Sequence, residues 1–260
     1  MIKQIPKNKS LHPFVKEIMF FENYEDSTEK SYPFYANGFP GIVYSKSDNP
    51  FYLNPGNKEL SEFYLYGQTI DPISLNIKGA FQLIDIRLYP FAVKILLGVG
   101  PKILNDDCFD LKLIKNIDTN ATLTLLNQTS SKDETIRILA NYFEELLKNA
   151  STNPDNRVKL ATNLILRANG NISVKDVRDR LCVTERTLER HFMRDMGVTT
   201  KQFAKIIQFS SSIKQITESD YDSLTEIGYD NGFADQSHFI RTFKKFTGKT
   251  PKEFQKKLSP

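Results

Sequence analysis

Few side chains in this sequence are placed to do chemistry, and sorting them narrows the function. Among 260 residues there are three histidines, His12, His191 and His238, and two cysteines, Cys108 and Cys182. A zinc site draws three or four His, Cys or carboxylate ligands together, and these residues are too few and too scattered to do so. No metal or other cofactor is expected, and two distant cysteines make no disulfide framework, which points to a reducing, cytoplasmic setting. The pair Asp106-Asp107, between Asn105 and Cys108, has no evident base or metal partner. Neither a glycine-rich phosphate loop nor Gly-x-Ser-x-Gly occurs, so no catalytic residue is expected and an N-terminal enzyme is a rival without machinery. Two other clusters match a known chemistry. Arg186, Glu189, Arg190 and Arg194 form one, and Gln236, Ser237, Arg241, Lys244 and Lys245 the other. Arg, Gln and Ser near the start of a helix are suited to base edges, and Lys or Arg further along reach phosphate.

Reading base edges requires a rigid mount, and the flanking sequence supplies two. Residues 172–181 make a short amphipathic helix, Cys182-Val183-Thr184 a turn, and residues 185–192 a second helix with Thr184 as its N-cap. The plan repeats as a helix at 224–229, a turn Asp230-Asn231-Gly232-Phe233, and a helix from about Asp235 to Lys245. Leu188 with Phe192, and Phe239 with Phe243, are i, i+4 pairs that fit an inner packed face and turn the polar clusters outward. Two helices joined by so short a turn make a helix-turn-helix, whose second helix enters the DNA major groove. Spacing alone also fits a solvated helix face in any all-helical protein.

The longer pattern is more specific. The run from Ile227-Gly228-Tyr229-Asp230-Asn231-Gly232-Phe233 through Gln236-Ser237-His238-Phe239-Ile240-Arg241-Thr242-Phe243 to Thr250-Pro251-Lys252-Glu253-Phe254 closely resembles the second helix-turn-helix and final helix of AraC/XylS-family transcription regulators. Val183 to Phe192, with Gly197 to Phe203, resembles the family's first unit. The resemblance implies base contacts from Arg186, Glu189, Arg190, Gln236, Ser237 and Arg241. Arg194, Lys244 and Lys245 are assigned to phosphate. It implies double-stranded DNA as partner, and RNA polymerase as a second one wherever the protein activates. One departure stands in the joining helix, where the family's Arg/Leu-rich segment is replaced by Ile206-Ile207-Gln208-Phe209-Ser210-Ser211-Ser212-Ile213. Glycines at 228 and 232 are expected to serve close helix approach or a positive φ around the turn, and His238 to lie at the surface or near phosphate.

The first ninety residues read differently. Stretches at 14–21, 41–44, 62–66, 73–77 and 81–88 are short, rich in aromatic and β-branched residues, and separated by turn residues such as Asn54-Pro55-Gly56-Asn57. They suggest an antiparallel barrel or sandwich, in outline the cupin-like sensor domain of the family. Seventeen of the thirty aromatic residues lie in the first hundred, enough to fill a core and also to line a pocket. Tyr44, Tyr64 and Tyr66 are candidates for binding a small-molecule effector. Short helices are expected at 91–97 and 121–126, and a longer one at Lys132–Lys148 whose apolar stripe either joins the core or makes a homodimer.

Charge and composition agree with a two-part chain. Residues 1–154 carry a net −2 and residues 155–260 a net +6, with a polar run at 149–156 between them. The expectation is an α+β protein: residues 1–150 a β-rich effector or dimerisation domain with trailing helices, residues 151–260 an all-α tandem helix-turn-helix domain. A sequence-tolerant architectural DNA binder would carry more basic residues and no sensor. No apolar run approaches the ~20 residues of a membrane span, and residues 1–9 carry no apolar signal-peptide core, so no membrane partner is expected.

Overall fold

Alternation of side chains along the strands decides what the first part of the chain buries. In the computed structural model, which describes residues 2–4, 9–24, 28–115, 117–150 and 155–258, the strands are β1 Ile2–Gln4, β2 Val15–Asn23, β3 Glu29–Phe34, β4 Gly41–Ser47, β5 Phe51–Asn54, β6 Lys58–Leu60, β7 Phe63–Tyr66, β8 Ile73–Lys78, β9 Phe81–Leu88 and β10 Cys108–Asp110. One sheet runs β1-β2-β9-β4-β7-β10 and the other β3-β8-β5-β6. Antiparallel register lines up Phe20, Ile84, Tyr44 and Phe63 across the first sheet, and Ile18, Ile86, Ile42 and Leu65 beside them. These residues share a face because successive side chains alternate. The opposite face carries Met19, Asp85, Val43 and Tyr64, then Arg87, Gly41 and Tyr66. Phe81 on that face meets Phe51 of the second sheet edge-on at 5.7 Å, so the sheets pack against each other there.

Helices cover the other face. They are α1 Ala92–Leu97, α2 Thr119–Gln128 and α3 Lys132–Asn149. Ile138, Leu139, Tyr142, Phe143 and Leu146 of α3 are buried in one core with Phe20, Ile42, Phe63, Leu65 and Ile86. The buried face of the Lys132–Lys148 helix packs on its own sheet, where it covers aromatic strand residues that water would otherwise reach, so that face joins the core.

Contacts divide the chain into two units. The first is Met1–Tyr32, Phe39–Gly67 and Ser74–Pro154; the second is Asp155–Pro260 together with Pro33–Gly38 and Gln68–Ile73. Those two short segments fall within the 1–150 span that the sequence reading gave wholly to the first domain. Ala36 joins the core of the second unit and Tyr35 packs on Phe254 at 5.4 Å. Residues 151–154 of the expected polar linker lie outside the described residues.

The second unit is helical where its glycines and caps allow it. Its helices are α4 Asn156–Arg167, α5 Val174–Arg180, α6 Glu185–Met196, α7 Thr200–Glu218, α8 Leu224–Asp230, α9 Gln236–Thr247 and α10 Pro251–Leu258. Asp155, Ser173, Thr184, Thr199, Ser223 and Asp235 each cap the helix that follows by accepting a backbone N–H. A cap of this kind is worth about 1 kcal/mol. Phe209, Phe239, Phe243, Phe246 and Phe254 form the centre of its second half, with Phe209 4.9 Å from Phe246. The departing segment of α7 stays helical, and it buries Ile206, Phe209 and Ser212. No helix among the described residues is long and apolar enough to cross a membrane.

Candidate nucleic-acid interface

Helices α6 and α9 are built to one plan. Each runs 12 residues, starts at a side-chain cap (Thr184 or Asp235), and ends on a left-handed glycine, Gly197 at φ 73° or Gly248 at φ 71°. Leu188 and Phe192 bury one face of α6; Phe239 and Phe243 do the same for α9. Burying those faces leaves the remaining sides to solvent.

In the first helix-turn-helix Arg186 and Arg190 are exposed. Glu189 is half-buried, and its Oε2 accepts the Thr200 backbone N–H at 3.2 Å, so it caps α7 as well as facing outward. Arg194 donates to both carboxylate oxygens of Asp195, at 2.7 and 2.5 Å, and lies 3.7 Å from Asp155. Its side chain, 48% exposed, is paired with these two acids. His191 is buried with Nδ1 2.6 Å from Asp155 Oδ2. The carboxylate that caps α4 thus also fixes the inner side of α6. Burial works to raise the Asp155 pKa, but hydrogen bonds from Arg157 outweigh it and hold the carboxyl below its ordinary value.

In the second helix-turn-helix Gln236, Ser237, Arg241, Lys244 and Lys245 are exposed. Gln236 Nε2 donates to Thr225 Oγ1 on α8 at 3.2 Å, which holds the amide at the mouth of the turn. The turn is pinned by buried polar groups: Gln208 Nε2 donates to the Asn231 carbonyl at 2.7 Å, and Asn231 Nδ2 donates to the Ile227 carbonyl at 2.9 Å. Gly232 has φ 70°, and a Cβ there would run into the Asn171 side chain, so this position requires glycine. Gly228 does not share the reason, since a Cβ would sit at an ordinary 3.5 Å from Phe239. His238 is half-buried rather than at the surface, with its ring 5.5 Å from Phe233 and no hydrogen-bond partner for Nδ1 among the described residues. Burial, with Lys205 and Arg241 nearby, lowers its pKa against the opposing pull of Asp235. Ile240, 36% exposed on the outer side of α9, was not among the residues singled out from sequence.

The expected effector residues are placed differently. Tyr44, Tyr64 and Tyr66 are all buried, and Tyr64 and Tyr66 line neither of the two cavities described here. Tyr66 OH donates to Asp85 Oδ1 at 2.9 Å, and Gly41 admits that side chain because a Cβ would lie 2.5 Å from its oxygen. Burial pushes the Asp85 carboxyl up to about 6, against the pull of Arg87 at 3.5 Å and the bond from Tyr66. This is a buried core network of the first unit, extended by Arg87 to Glu17 at 2.9 Å, although Arg87 Nε itself makes no hydrogen bond among the described residues. Open space lies elsewhere. One cavity of about 770 Å³ is lined by Ser45, Ser47, Asp48, Glu59 and Glu62 among others, and a second of about 260 Å³ by Phe20, Tyr44, Ile84, Lys46 and Lys132. Tyr24, Lys46 and Gln82 line both. Tyr44 reaches the smaller one, although its hydroxyl is held by Asn127 Oδ1 at 2.8 Å.

Paired helix-turn-helix units with exposed basic residues follow a two-sheet β unit in this chain, and comparison with known proteins places the helical part. Residues 178–257 match the family profile described as a helix-turn-helix domain, and residues 3–110 match one described as a domain of unknown function (DUF6597). Residues 178–257 are an AraC/XylS-type helix-turn-helix domain. The transcriptional activator RhrA of Rhizobium meliloti is 27% identical over 74% of this chain, and the match spans 64% of RhrA's own length. The arabinose operon regulatory protein of Escherichia coli is 30% identical over 41% of this chain and 38% of its own. ToxT of Vibrio cholerae has the same fold, with a TM-score of 0.53 at 18% identity over 93% of this chain and 99% of ToxT. Another ToxT structure, with a TM-score of 0.50 at 17% identity over 92% and 99% of the two chains, is bound to (E)-4-(8-methylnaphthalen-1-yl)but-3-enoic acid.

Proposed function

We propose that this protein is a sequence-specific, DNA-binding transcription regulator, acting in the cytoplasm and switched by a small molecule held in its β unit. The observation that carries the DNA-binding part is the shared build of α6 and α9: a capped start, a buried aromatic face, and Arg186, Arg190, Gln236, Ser237 and Arg241 outside. Arg and Gln read purine edges, and Lys244 and Lys245 further along α9 reach phosphate. The activator and operon-regulator names of the relatives support transcription as the outcome. Selection of bound sites from random DNA by the full-length protein tests it. A recovered consensus supports the reading, and recovery of unrelated sequences at every salt concentration refutes it.

The effector part rests on the adjoining cavities rather than on Tyr64 and Tyr66. The smaller is lined by apolar Phe20, Tyr44 and Ile84 together with Lys46 and Lys132. Lys46 donates to the Asn127 and Thr129 carbonyls and Lys132 is paired with Glu22 at 2.5 Å, so a ligand carboxylate would have to draw both from these partners. Apolar lining beside two lysines suits a compact apolar body bearing a carboxylate, the kind of molecule seen in the ToxT structure. A ligand at a hundredfold excess over Kd stabilises the state it binds by about 2.7 kcal/mol. Thermal melting of the full chain with aryl and short-chain carboxylates checks this, with Lys46→Ala expected to abolish the gain. An unmoved melting temperature throughout the series refutes this ligand class.

A further inference from the structure

The common plan of the two recognition helices makes their chemical differences legible. Counted from the cap, Leu188 matches Phe239, Arg190 matches Arg241 and Phe192 matches Phe243. The position between the first two is Glu189 in α6 and Ile240 in α9. Glu189 holds the Thr200 amide. Ile240 is 36% exposed, four residues after Gln236, three after Ser237 and four before Lys244, so the four side chains lie together on one exposed strip. The core beneath α9 is already filled by Phe239, Phe243 and Phe246. A β-branched side chain also gains nothing in helix propensity at an exposed site. Single exposed aliphatic residues are common on protein surfaces, but this one lies between Gln236 and Ser237, which the DNA-binding reading assigns to base edges, and Lys244, which it assigns to phosphate.

In the major groove thymine is the one base of the four that presents a methyl group, and aliphatic side chains recognise it by contact. We propose that Ile240 is a specificity-determining residue that packs on the C5-methyl of a thymine in the half-site bound by α9. Helix α6 offers a carboxylate at the matching position, so the two half-sites differ there. The inference rests on the DNA-binding reading above and adds one base preference to it. A 5-methylcytosine presents the same methyl group at the same ring position, so its C5 substituent would satisfy the same contact.

The test uses DNA selected from a random pool by the full-length protein, resynthesised with each thymine replaced in turn by uracil. Burying one methyl is worth about 0.8 kcal/mol, so loss of the methyl at one position should weaken binding about fourfold. Ile240→Ser should bind the thymine and uracil forms equally, whereas Ile240→Val should still prefer thymine. Melting curves establish that both variants are folded. Equal binding of all uracil forms by the unaltered protein overturns the proposal, as does a penalty that persists in Ile240→Ser. Failure to select any DNA sinks the DNA-binding reading itself. Selected DNA whose preference responds to Arg241→Ala but not to uracil sinks only the methyl contact.

Discussion

Arg241 and Lys244 stand one turn apart on α9, yet they answer to different features of DNA. Arg241 lies at the middle of the helix, one turn beyond Gln236 and Ser237, and carries a two-pronged donor suited to base edges; Lys244 lies in the last turn, where a point charge meets the phosphate backbone. Arg241→Ala or Arg186→Ala should therefore relax preference at one base position each, at a cost of about 1–3 kcal/mol on the preferred site. Lys244→Ala should weaken all sequences evenly. Competition binding against single-base variants separates the two patterns, and identical behaviour of all three variants would refute the sorting. Asp85 gives a second expectation at this scale. Its carboxyl is pushed up to about 6 in the folded state from an ordinary 3.8, so the folded state holds its proton more tightly than the unfolded chain does. The stabilisation is complete below about pH 4, falls as pH rises, and is lost above about 6, a total of up to about 3 kcal/mol. The unfolding free energy of the unaltered protein minus that of Asp85→Asn should fall with pH across this window and flatten above it. A difference that is constant with pH would refute the assignment.

At the scale of elements, α3 is where sequence left two readings and packing chose one. The stripe read from sequence, Ile136, Leu139, Ala140, Phe143, Leu146 and Leu147, has the same spacing whether it meets a sheet or a second helix. The structure rotates the buried face to Ile138, Leu139, Tyr142, Phe143 and Leu146 and leaves Ile136, Ala140 and Leu147 partly buried. Only the register of β2, β9, β4 and β7 shows the apolar face that it meets. Leu139→Asp with Phe143→Asp should unfold the first unit rather than release a folded monomer, because a buried unpaired carboxylate costs several kcal/mol. Loss of its cooperative melting transition is the expected result, and sedimentation as a folded monomer would refute it. Helices α5 to α10 were legible because caps, glycines and i, i+4 aromatic pairs are local signals. Strands β1, β3, β5, β6 and β10 were not foreseen, being mostly of three or four residues with too few alternations to declare a period. The proposed DNA-reading surface was readable in its charged residues but not in Ile240, since an apolar residue between polar ones looks like core until exposure is known. The burial of Tyr64 and Tyr66 was not legible for the converse reason: a buried acid, Asp85, sits on their face of the sheet and takes the Tyr66 hydroxyl, and no periodicity announces it.

For the molecule as a whole, the division of charge carries the last prediction. Net charge is +6 over residues 155–260 and −2 over residues 1–154, so attraction for DNA originates in the helical part. Each phosphate neutralised releases condensed counterion, and the logarithm of affinity falls by about 0.9 per contact for each tenfold rise in salt. With ~6–10 phosphates engaged, full-length protein should lose roughly 10³–10⁵ in affinity between 50 and 200 mM salt. Arg194 should contribute little to that slope, because Asp195 and Asp155 already pair with it. Lys244→Ala should make the slope shallower by about 1, whereas Arg194→Ala should leave it unchanged. Titration of one selected DNA at four or five salt concentrations, for the unaltered protein and both variants, reads all three slopes. A slope near zero would remove electrostatics from the interface, and an Arg194→Ala slope that falls with that of Lys244→Ala would show that the arginine leaves its acids to reach phosphate.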